Sequence, residues 1–326
     1  MSVTELTYLQ AVARAIADEM EADDKVLLFG EDVGAAGGVF KATEGLYERF
    51  GSNRVLDTPI SEQAIVGCAI GASLRGLKPV IEIMFADFAG VCFDQLGNEL
   101  AKYRYMTGGQ VTVPVTVRLA NGAGGGFGAQ HSQSVENWFL NIPGLTILTP
   151  GTPGDAYALL RAAIRDPNPV LYLEHKNLYN LSGPVSDDDL DVIGRAAIVR
   201  EGSDITLVAS QLMRHRALDA AELLAAENIS AEVIDPRTMV PFDLETVQTS
   251  LAKTNHLICV QECSPGGSWG ATLLSSLVSE SLELFDAPPL LVGGDDTPIP
   301  YAGVLEAAWL PSPERIIDGV RRTLAY

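Results

Sequence analysis

The chain has 326 residues, of which 47% are apolar and 20% charged. This length exceeds one ordinary hydrophobic core and predicts two domains, while the composition excludes a largely disordered protein. The 22 Lys and Arg residues stand against 42 Asp and Glu, giving a formal net charge of −20. Such a field repels a phosphate backbone, so we expect no nucleic-acid partner. Solubility explains the charge; a docking face for a basic partner is the alternative.

The sequence also argues against membrane insertion and secretion. No stretch approaches about 18 uninterrupted apolar residues, the length that a transmembrane helix needs. The N-terminus carries Glu5, Asp18 and Glu19 rather than an apolar segment flanked by basic residues, so neither a signal nor a transit peptide is expected. The four cysteines, Cys68, Cys92, Cys259 and Cys263, form no C-x-x-C pair or zinc pattern. We expect core thiols and a cytoplasmic location.

Strand and helix patterns alternate along the first half. Thr7 and Gln10 predict a capping box for a first helix with an apolar stripe. A buried strand is predicted at Val26–Phe29 and further short strands at Val55–Leu56, Val80–Met84, Val115–Leu119, Leu145–Leu148 and Val170–Leu173. Helices are predicted at Ile65–Leu74, Phe88–Tyr103 and Tyr157–Ile164. This alternation predicts a mostly parallel sheet covered on both faces.

The pattern lapses from Lys176 to about Arg200, where Gly, Pro and the run Asp187–Asp188–Asp189 predict a linker. It then resumes with strands at Ile205–Ala209, Ala231–Ile234 and Leu257–Val260 and helices at His215–Glu227, Leu244–Lys253, Thr272–Leu284 and Pro313–Leu324. The predicted fold class is therefore α/β, with two α/β domains of mostly parallel sheet, residues 1–185 and 186–326.

Two familiar motifs fail when their context is tested. The segment from Gly122 to Gly128 resembles a dinucleotide-binding turn, but the third glycine of G-x-G-x-x-G falls on Phe127. It predicts instead a flexible loop whose backbone approaches something closely. Ser268 matches the G-x-S-x-G nucleophile elbow of a hydrolase, whose histidine follows the serine in the chain. Every histidine precedes it (His131, His175, His215, His256), so a helix start is the better interpretation.

Glu62 begins a helix after the segment Asp57-Thr-Pro-Ile-Ser-Glu62, with Ser61 expected at the N-cap. A carboxylate in the first turn is favoured by the helix macrodipole alone, by about 0.3–1 kcal/mol. Small residues follow at Ala64, Gly67, Ala69, Gly71 and Ala72, which would let the helix pack closely against another backbone. A functional acid in a low-dielectric place and an ordinary dipole-favoured acid both fit these residues.

Six motifs occur in one order: Asp57-Thr-Pro-Ile-Ser-Glu62, Glu82-Ile-Met-Phe-Ala-Asp-Phe88, Phe93-Asp-Gln95, Ala101-Lys-Tyr-Arg-Tyr105, Gln130-His-Ser-Gln133 and Ala163-Ile-Arg-Asp-Pro-Asn-Pro169. With this set the chain resembles, over essentially its whole length, the beta subunits of thiamine-diphosphate-dependent first components of 2-oxo-acid dehydrogenase complexes. Pyruvate, branched-chain 2-oxo-acid and acetoin dehydrogenases belong to this group. The resemblance implies a pyrimidine-binding domain followed by a transketolase C-terminal-like domain.

The resemblance also implies roles for individual residues. Glu62 matches the glutamate that hydrogen-bonds the pyrimidine ring of the cofactor and relays its proton. His131, which follows the glycine-rich segment, matches a histidine that faces the reacting centre. Ile60, Met84 and Phe88 match positions that line the aminopyrimidine pocket, with ordinary core packing as the alternative for the last two.

A structural potassium site is implied at Val115, Ala163, Ile164, Asp166 and Asn168. Loops rich in oxygen ligands suit hard cations of this kind. A helix C-terminus closed by Asp and Asn before two prolines explains the same residues equally well.

The sequence lacks the Gly-Asp-Gly motif with which related enzymes bind magnesium and diphosphate; Gly293-Gly-Asp295 is the nearest string. The resemblance therefore implies an alpha subunit that holds Mg²⁺ and the diphosphate, and an α2β2 heterotetramer with the cofactor between the two chains. A lipoyl acyltransferase core is the implied further partner.

The substrate is less sharply indicated. Met84 and Phe88 stand where branched-chain relatives carry glutamine and tyrosine, and several strings resemble acetoin dehydrogenase beta subunits most. The implied reaction is cleavage of acetoin, or decarboxylation of pyruvate or a branched-chain 2-oxo acid, with transfer of the acyl group to lipoamide. A catalytically idle paralogue is a distant alternative, against which Glu62 and His131 argue.

Overall fold

A computed structural model describes residues 3–187 and 193–326. Contacts between residues divide the chain into two compact units, Met1–Asn121 with Trp138–Ile193 and Gly122–Asn137 with Gly194–Tyr326. The glycine-rich segment and His131 thus belong to the second unit, although the first unit continues after them. The domain boundary at residue 185 stays a prediction, and Asp188 and Asp189 of the predicted linker lie outside the described residues.

The strands and helices up to residue 186 are as follows. The strands are β1 Val3–Thr7, β2 Val26–Gly30, β3 Val55–Asp57, β4 Lys78–Ile83, β5 Thr116–Asn121, β6 Thr146–Leu148, β7 Val170–His175 and β8 Ser182–Ser186. The helices are α1 Tyr8–Ala22, α2 Leu46–Phe50, α3 Glu62–Leu74, α4 Tyr103–Met106, α5 Glu136–Phe139 and α6 Pro153–Arg165. Short 3-10 turns cover Ala86–Gly90 and Lys176–Leu178.

In the first unit the strand order is β6–β7–β5–β4–β2–β3, with every neighbouring pair parallel. Strands β5 and β7 are buried along their whole lengths, which explains their continuous apolar runs. Because the strands are parallel, their carboxyl ends meet at one edge of the sheet, where α/β proteins bind ligands. The segments that begin at Glu31, Thr58 and Met84 leave the sheet together at this edge.

The second unit repeats this architecture on a smaller scale. Its strands are β9 Ala197–Arg200, β10 Ile205–Ala209, β11 Ala231–Asp235, β12 Thr238–Val240, β13 Leu257–Val260 and β14 Leu290–Val292. Its helices are α7 Gln211–Ala225, α8 Leu244–Thr254, α9 Trp269–Ser281, α10 Gly303–Trp309 and α11 Pro313–Leu324. In the order β14–β13–β10–β11–β9 only the last pair is antiparallel. The prediction of two α/β domains with mostly parallel sheets is confirmed.

The predicted helix at Phe88–Tyr103 is wrong. The chain forms the 3-10 turn Ala86–Gly90, a π-helical turn at Gln95–Leu100 and then α4. A Cβ atom at Gly97 would lie 3.1 Å from Ile142 Cδ1, so the π-helical turn places its backbone against this side chain.

Short edge strands were also missed. Strands β1 and β8 pair antiparallel in a two-stranded sheet, from Val3 opposite Ser186 to Thr7 opposite Ser182. The predicted linker therefore contains ordered structure, with β8 as far as Ser186 and a further strand at Ala197–Arg200. Strand β8 carries Gly183 and Pro184, residues that are tolerated on edge strands and that obscure the strand pattern. Across residues 3–187 and 193–326, we find no helix long and apolar enough to cross a lipid bilayer.

Candidate functional site

Glu62 is the first residue of α3, and only 7% of it is exposed. Ser61 occupies the N-cap position as predicted, but its hydroxyl donates to the Pro59 carbonyl at 3.3 Å and makes no capping bond. The positive end of the helix dipole is therefore available to the Glu62 carboxylate. A buried acid in this position is electrostatically supported and largely removed from water.

Glu31, directly after β2, is a second buried carboxylate beside Glu62. Burial, and next the negative charge of Glu62, raise the pKa of Glu31, while a hydrogen bond from the Ser61 backbone opposes them. Its Oε1 atom has no hydrogen-bond partner. Burial beside a second carboxylate therefore favours the protonated form of Glu31 more than in an exposed glutamate. The sequence analysis missed Glu31, although an acid directly after a buried parallel strand is a usable signal.

A close backbone contact fixes the surroundings of the two acids. Asp57, the last residue of β3, accepts a hydrogen bond from the Gly34 N–H at 2.6 Å. A Cβ atom at position 34 would lie 2.6 Å from the second carboxylate oxygen, so a larger residue there would force the Asp57 carboxylate to move. The loop after β2, which begins with Glu31, is thereby tied to the end of β3 that leads into Glu62.

The raised pKa of Glu31 predicts a pH-dependent stability. Because its folded pKa lies above the unfolded value of about 4.3, its contribution is fully present below that value and is lost as pH rises through the folded pKa. Glu31→Gln should therefore lose less free energy of unfolding than the wild type over this window, as measured by urea unfolding at a series of pH values. The exposed Glu44→Gln is the control. Equal slopes for wild type and Glu31→Gln would contradict the assignment.

The other three predicted cofactor contacts lie at the same edge of the sheet. Ile60 is 83% exposed although it stands two residues from a buried acid. Met84 and Phe88 follow β4 and are half-buried, and the Phe88 ring meets Phe85 edge-on with centroids 5.8 Å apart. Neither Met84 nor Phe88 is fully buried, and a single exposed isoleucine is ordinary at a protein surface. Their contact with a cofactor stays a prediction.

In the second unit, buried carboxylates hold the glycine-rich loop, residues 122–128. The N–H groups of Gly124 and Gly126 donate to the two carboxylate oxygens of Glu306 at 2.8 and 2.9 Å. The Ala123 N–H donates to Glu262 at 2.5 Å. Both acids were missed. Glu262 directly follows the strand β13 and Gln261, which is a usable signal, whereas nothing local marks Glu306 within its short apolar helix.

His131 lies three residues after this loop and is partly exposed. Its backbone N–H donates to the Gly128 carbonyl at 3.4 Å, and this bond closes a turn at the end of the loop. The next residue, Ser132, is fully buried. Glu62 and His131, the two predicted catalytic residues, therefore belong to different units, and each stays a prediction as a catalytic group.

Comparison with known proteins decides the family. Residues 4–182 match the family "Transketolase, pyrimidine binding domain", and residues 194–316 match "Transketolase, C-terminal domain". The chain is 44% identical to "Pyruvate dehydrogenase E1 component subunit beta-2, mitochondrial" of Oryza sativa subsp. japonica, over 98% of this chain and 86% of that protein. The chain belongs to the E1 beta-subunit family. The resemblance noted from the sequence is thus confirmed.

Other relatives of this E1 beta subunit differ in the substrate that they are named for. "Acetoin:2,6-dichlorophenolindophenol oxidoreductase subunit beta" of Bacillus subtilis (strain 168) is 44% identical over 96% of this chain and 95% of its own. "3-methyl-2-oxobutanoate dehydrogenase subunit beta" of Mycobacterium tuberculosis (strain CDC 1551 / Oshkosh) is 43% identical over 98% and 92%. A solved structure, "Split gene transketolase, inactive beta4 tetramer", aligns with a TM-score of 0.81 at 24% identity over 98% of both chains, which supports the fold.

The residues matched to a potassium site in E1 beta subunits form a closed helix C-terminus. The Asp166 N–H donates to the Ala163 carbonyl at 3.2 Å, and the Asp166 carboxylate accepts from the Asn168 N–H at 2.8 Å. Ile164 is buried in the same turn, and the Val115 carbonyl accepts from the Val170 N–H at 3.0 Å. These bonds fit the structural alternative, and the potassium site stays a prediction. It would lie at the amino ends of β5 and β7, the opposite edge of the sheet from Met84.

Ser268 is not placed as the nucleophile of a hydrolase. It is the N-cap of α9, where its Oγ accepts from the Ala271 N–H at 3.3 Å and donates to the Pro265 carbonyl at 2.9 Å. The residue is fully buried. The prediction of a helix start is therefore confirmed, and the nucleophile elbow is a coincidence of sequence.

The cysteines of this E1 beta subunit are free thiols. Burial raises the pKa of Cys92 to about 12, with a smaller contribution from Glu62. Cys68 is exposed on α3, so the expectation of core thiols is wrong for this residue. Its position among the small side chains of an exposed helix face explains the difference.

Proposed function

We propose that Glu62 is the acid that activates thiamine diphosphate in an E1 component built from this beta subunit and an alpha subunit. The observation that carries the proposal is the buried pair of carboxylates, Glu62 and Glu31, at the ligand-binding edge of a pyrimidine-binding domain. Buried carboxylates are costly unless they are satisfied, and Glu31 Oε1 lacks a partner. The aminopyrimidine ring of thiamine diphosphate carries a ring nitrogen and an amino group. These groups would supply the hydrogen-bond partners that the two carboxylates need.

When bound, the cofactor supplies a thiazolium carbon that attacks a substrate carbonyl and takes up the electrons of the bond that breaks. The residues of this chain then have separate tasks. Glu62 exchanges a proton with the pyrimidine ring nitrogen, and Glu31, whose pKa is raised by burial and by Glu62, lies beside it. Ile60, Met84 and Phe88 exclude water from the ring.

His131 has its task on the substrate side in this proposal. Its imidazole donates a hydrogen bond to the reacting oxygen or positions the lipoyl group that accepts the acyl product. Histidine suits both tasks because its two ring nitrogens can donate and accept hydrogen bonds.

The partners follow from what the sequence lacks. Without a Gly-Asp-Gly string, the diphosphate and Mg²⁺ are assigned to the alpha subunit, in an α2β2 heterotetramer. We place this assembly in the cytoplasm, with a lipoyl acyltransferase core as its acceptor of acyl groups.

Acetoin is our first choice of substrate, and pyruvate or a branched-chain 2-oxo acid is the alternative. Overall similarity does not choose, because relatives named for pyruvate and for acetoin are both 44% identical to the chain. The choice rests on Met84 and Phe88, which replace the more polar pair of branched-chain relatives and leave an apolar surface.

The beta subunit alone should be inactive, and the reconstituted α–β complex should turn over. Acetoin, pyruvate and branched-chain 2-oxo acids are compared in parallel by dye-linked oxidation, with complex lacking thiamine diphosphate as the blank. We expect the highest kcat/KM for acetoin. Robust turnover by the beta subunit alone would overturn the two-chain site, and a higher kcat/KM for a 2-oxo acid would replace only the substrate assignment.

A further inference from the structure

The glycine-rich loop, residues 122–128, has the backbone of an anion site, but a side chain of the same unit supplies the anion. Successive N–H groups of such loops commonly point at a phosphate. Here the N–H groups of Gly124 and Gly126 point at the two oxygens of Glu306. The loop therefore resembles a dinucleotide-binding turn because its glycine N–H groups also point at a negatively charged group.

Burial makes these contacts strong. Glu306 is 2% exposed and Glu262 is 7% exposed, so little water competes for their carboxylates. Hydrogen bonds between a carboxylate and backbone N–H groups are roughly twice as strong as neutral ones. Gly124 and Gly126 have φ angles of +97° and +72°, which other residues adopt only with strain. The loop conformation and the carboxylate that satisfies it thus depend on each other.

Glu306 is itself held in place. It lies in α10, where the Trp309 indole N–H donates to the Asp295 carbonyl at 3.0 Å. Arg315 donates to the Trp309 carbonyl at 3.1 Å and to the Gly293 carbonyl at 2.8 Å. The carboxylate therefore projects from a short helix whose end is fixed by several bonds.

We propose that Glu306 and Glu262 are positioning residues for His131. Glu306 holds the chain at Gly126, five residues before the histidine, and Glu262 accepts a hydrogen bond from the Ser134 hydroxyl at 2.9 Å, three residues after it. His131 thus lies in a short segment that is anchored on both sides by buried carboxylates. This inference rests on the proposed function, in which His131 faces the reacting centre.

The test compares Glu306→Gln with wild type in the reconstituted α–β complex. Glutamine keeps the shape of the side chain but offers one acceptor oxygen where two N–H groups need one each. Hydrogen exchange of residues 122–134 should accelerate, and kcat should fall about tenfold with KM changed by less than about twofold, as expected when a catalytic group is displaced. Glu232→Gln controls for the loss of a buried carboxylate in the second unit: Glu232 also accepts a backbone N–H, that of Gly202, at 3.2 Å. It pairs in addition with Lys253, so this variant should lose stability without a change in kcat.

His131→Ala and the double variant separate the possible failures. If Glu306 acts through His131, Glu306→Gln should cost little more kcat once His131 is absent. Wild-type kcat in His131→Ala would overturn the proposed role of the histidine itself. A low kcat in His131→Ala combined with a normal kcat in Glu306→Gln would overturn only the positioning role. Should Glu306→Gln fail to assemble, Ser134→Ala removes one anchor from a partly exposed residue and must show the same pattern, more weakly.

Discussion

Glu62→Gln in the α–β complex should lower kcat by about 10²- to 10⁴-fold, the range that general acid–base catalysis contributes. Glutamine has nearly the same shape and keeps an acceptor oxygen, but it cannot take up and return a proton. Glu62→Asp should also be strongly impaired, because its carboxylate stands about one methylene short of the same contact. The two variants separate the need for an acid from the need for its reach.

Two measurements decide this prediction. Dye-linked turnover gives kcat, and exchange of the thiazolium C2 proton followed by NMR reports the proton relay before any substrate binds. Gln63→Ala, the next residue of α3 and an exposed one, is the control and should leave both unchanged. Wild-type turnover together with wild-type exchange in Glu62→Gln would refute the role of this acid.

Glu62→Gln, which should lower activity, should leave the stability to urea unchanged or raise it. Glu62 and Glu31 are both buried. Burial is the larger cause of the raised pKa of Glu31, and repulsion by the negative charge of Glu62 is the second. Removing one charge relieves this repulsion, so Glu62→Gln should unfold at the same or a higher urea concentration than the wild type. A site that stores such repulsion is less stable than the same fold without it.

Local signals in the sequence were sufficient to predict the helices that begin with a side-chain N-cap. Thr7 accepts from the Gln10 N–H at 3.2 Å, and the Gln10 side chain accepts from the Thr7 N–H at 2.9 Å, as the capping box requires. Helix α11 has the predicted bounds, Pro313–Leu324, because Ser312 caps it and proline fixes its first turn. These features involve residues within one turn of each other, so no knowledge of the fold is needed.

The contacts between distant residues could not be predicted in this way. Glu306 and Gly124 are 182 positions apart, and only the folded second unit brings that carboxylate to the loop. The π-helical turn likewise brings Gly97 against Ile142, a residue that lies far along the chain. Glu62 stands between these cases. Its position at a helix start was predictable locally, whereas the raised pKa of Glu31 beside it arises only from the fold.

The largest loss of stability is expected at Arg118, which lies between two carboxylates in the core of the first unit. Its guanidinium donates to both oxygens of Glu174, at 2.6 and 2.9 Å, and to Glu82 at 2.6 Å. Glu82 and Arg118 are direct neighbours on β4 and β5, and Arg118 is 1% exposed. Burial by itself would lower the pKa of Arg118, but Glu174 and Glu82 outweigh burial and raise it.

The Arg118 guanidinium is therefore the shared hydrogen-bond and ion-pair partner of the buried carboxylates of Glu82 and Glu174. Burial raises the pKa of Glu82 although Arg118 opposes this, and Glu174 raises it further. Arg118→Met leaves both carboxylates without a cation and should lower the free energy of unfolding by about 3–5 kcal/mol, the usual cost of breaking a buried pair. Replacing all three residues, with Glu82→Gln and Glu174→Gln added, should recover most of this loss because no buried charge remains.

Urea unfolding of the beta subunit measures the loss, with Arg14→Met as the control. Arg14 pairs with Asp187 at 2.5 Å, but both side chains are about one third or more exposed to solvent, so breaking this pair should cost at most about 1 kcal/mol. The cost of Arg118→Met should also grow as pH rises, because the unpaired acids are neutral at low pH and must bury their charge at high pH. A cost that equals the Arg14→Met control and does not change with pH would mean that the three residues are not coupled. A large, pH-dependent cost would mean that Arg118 is what allows two ionised acids to lie inside the sheet. One of these acids, Glu82, lies on β4, the strand that leads into Met84.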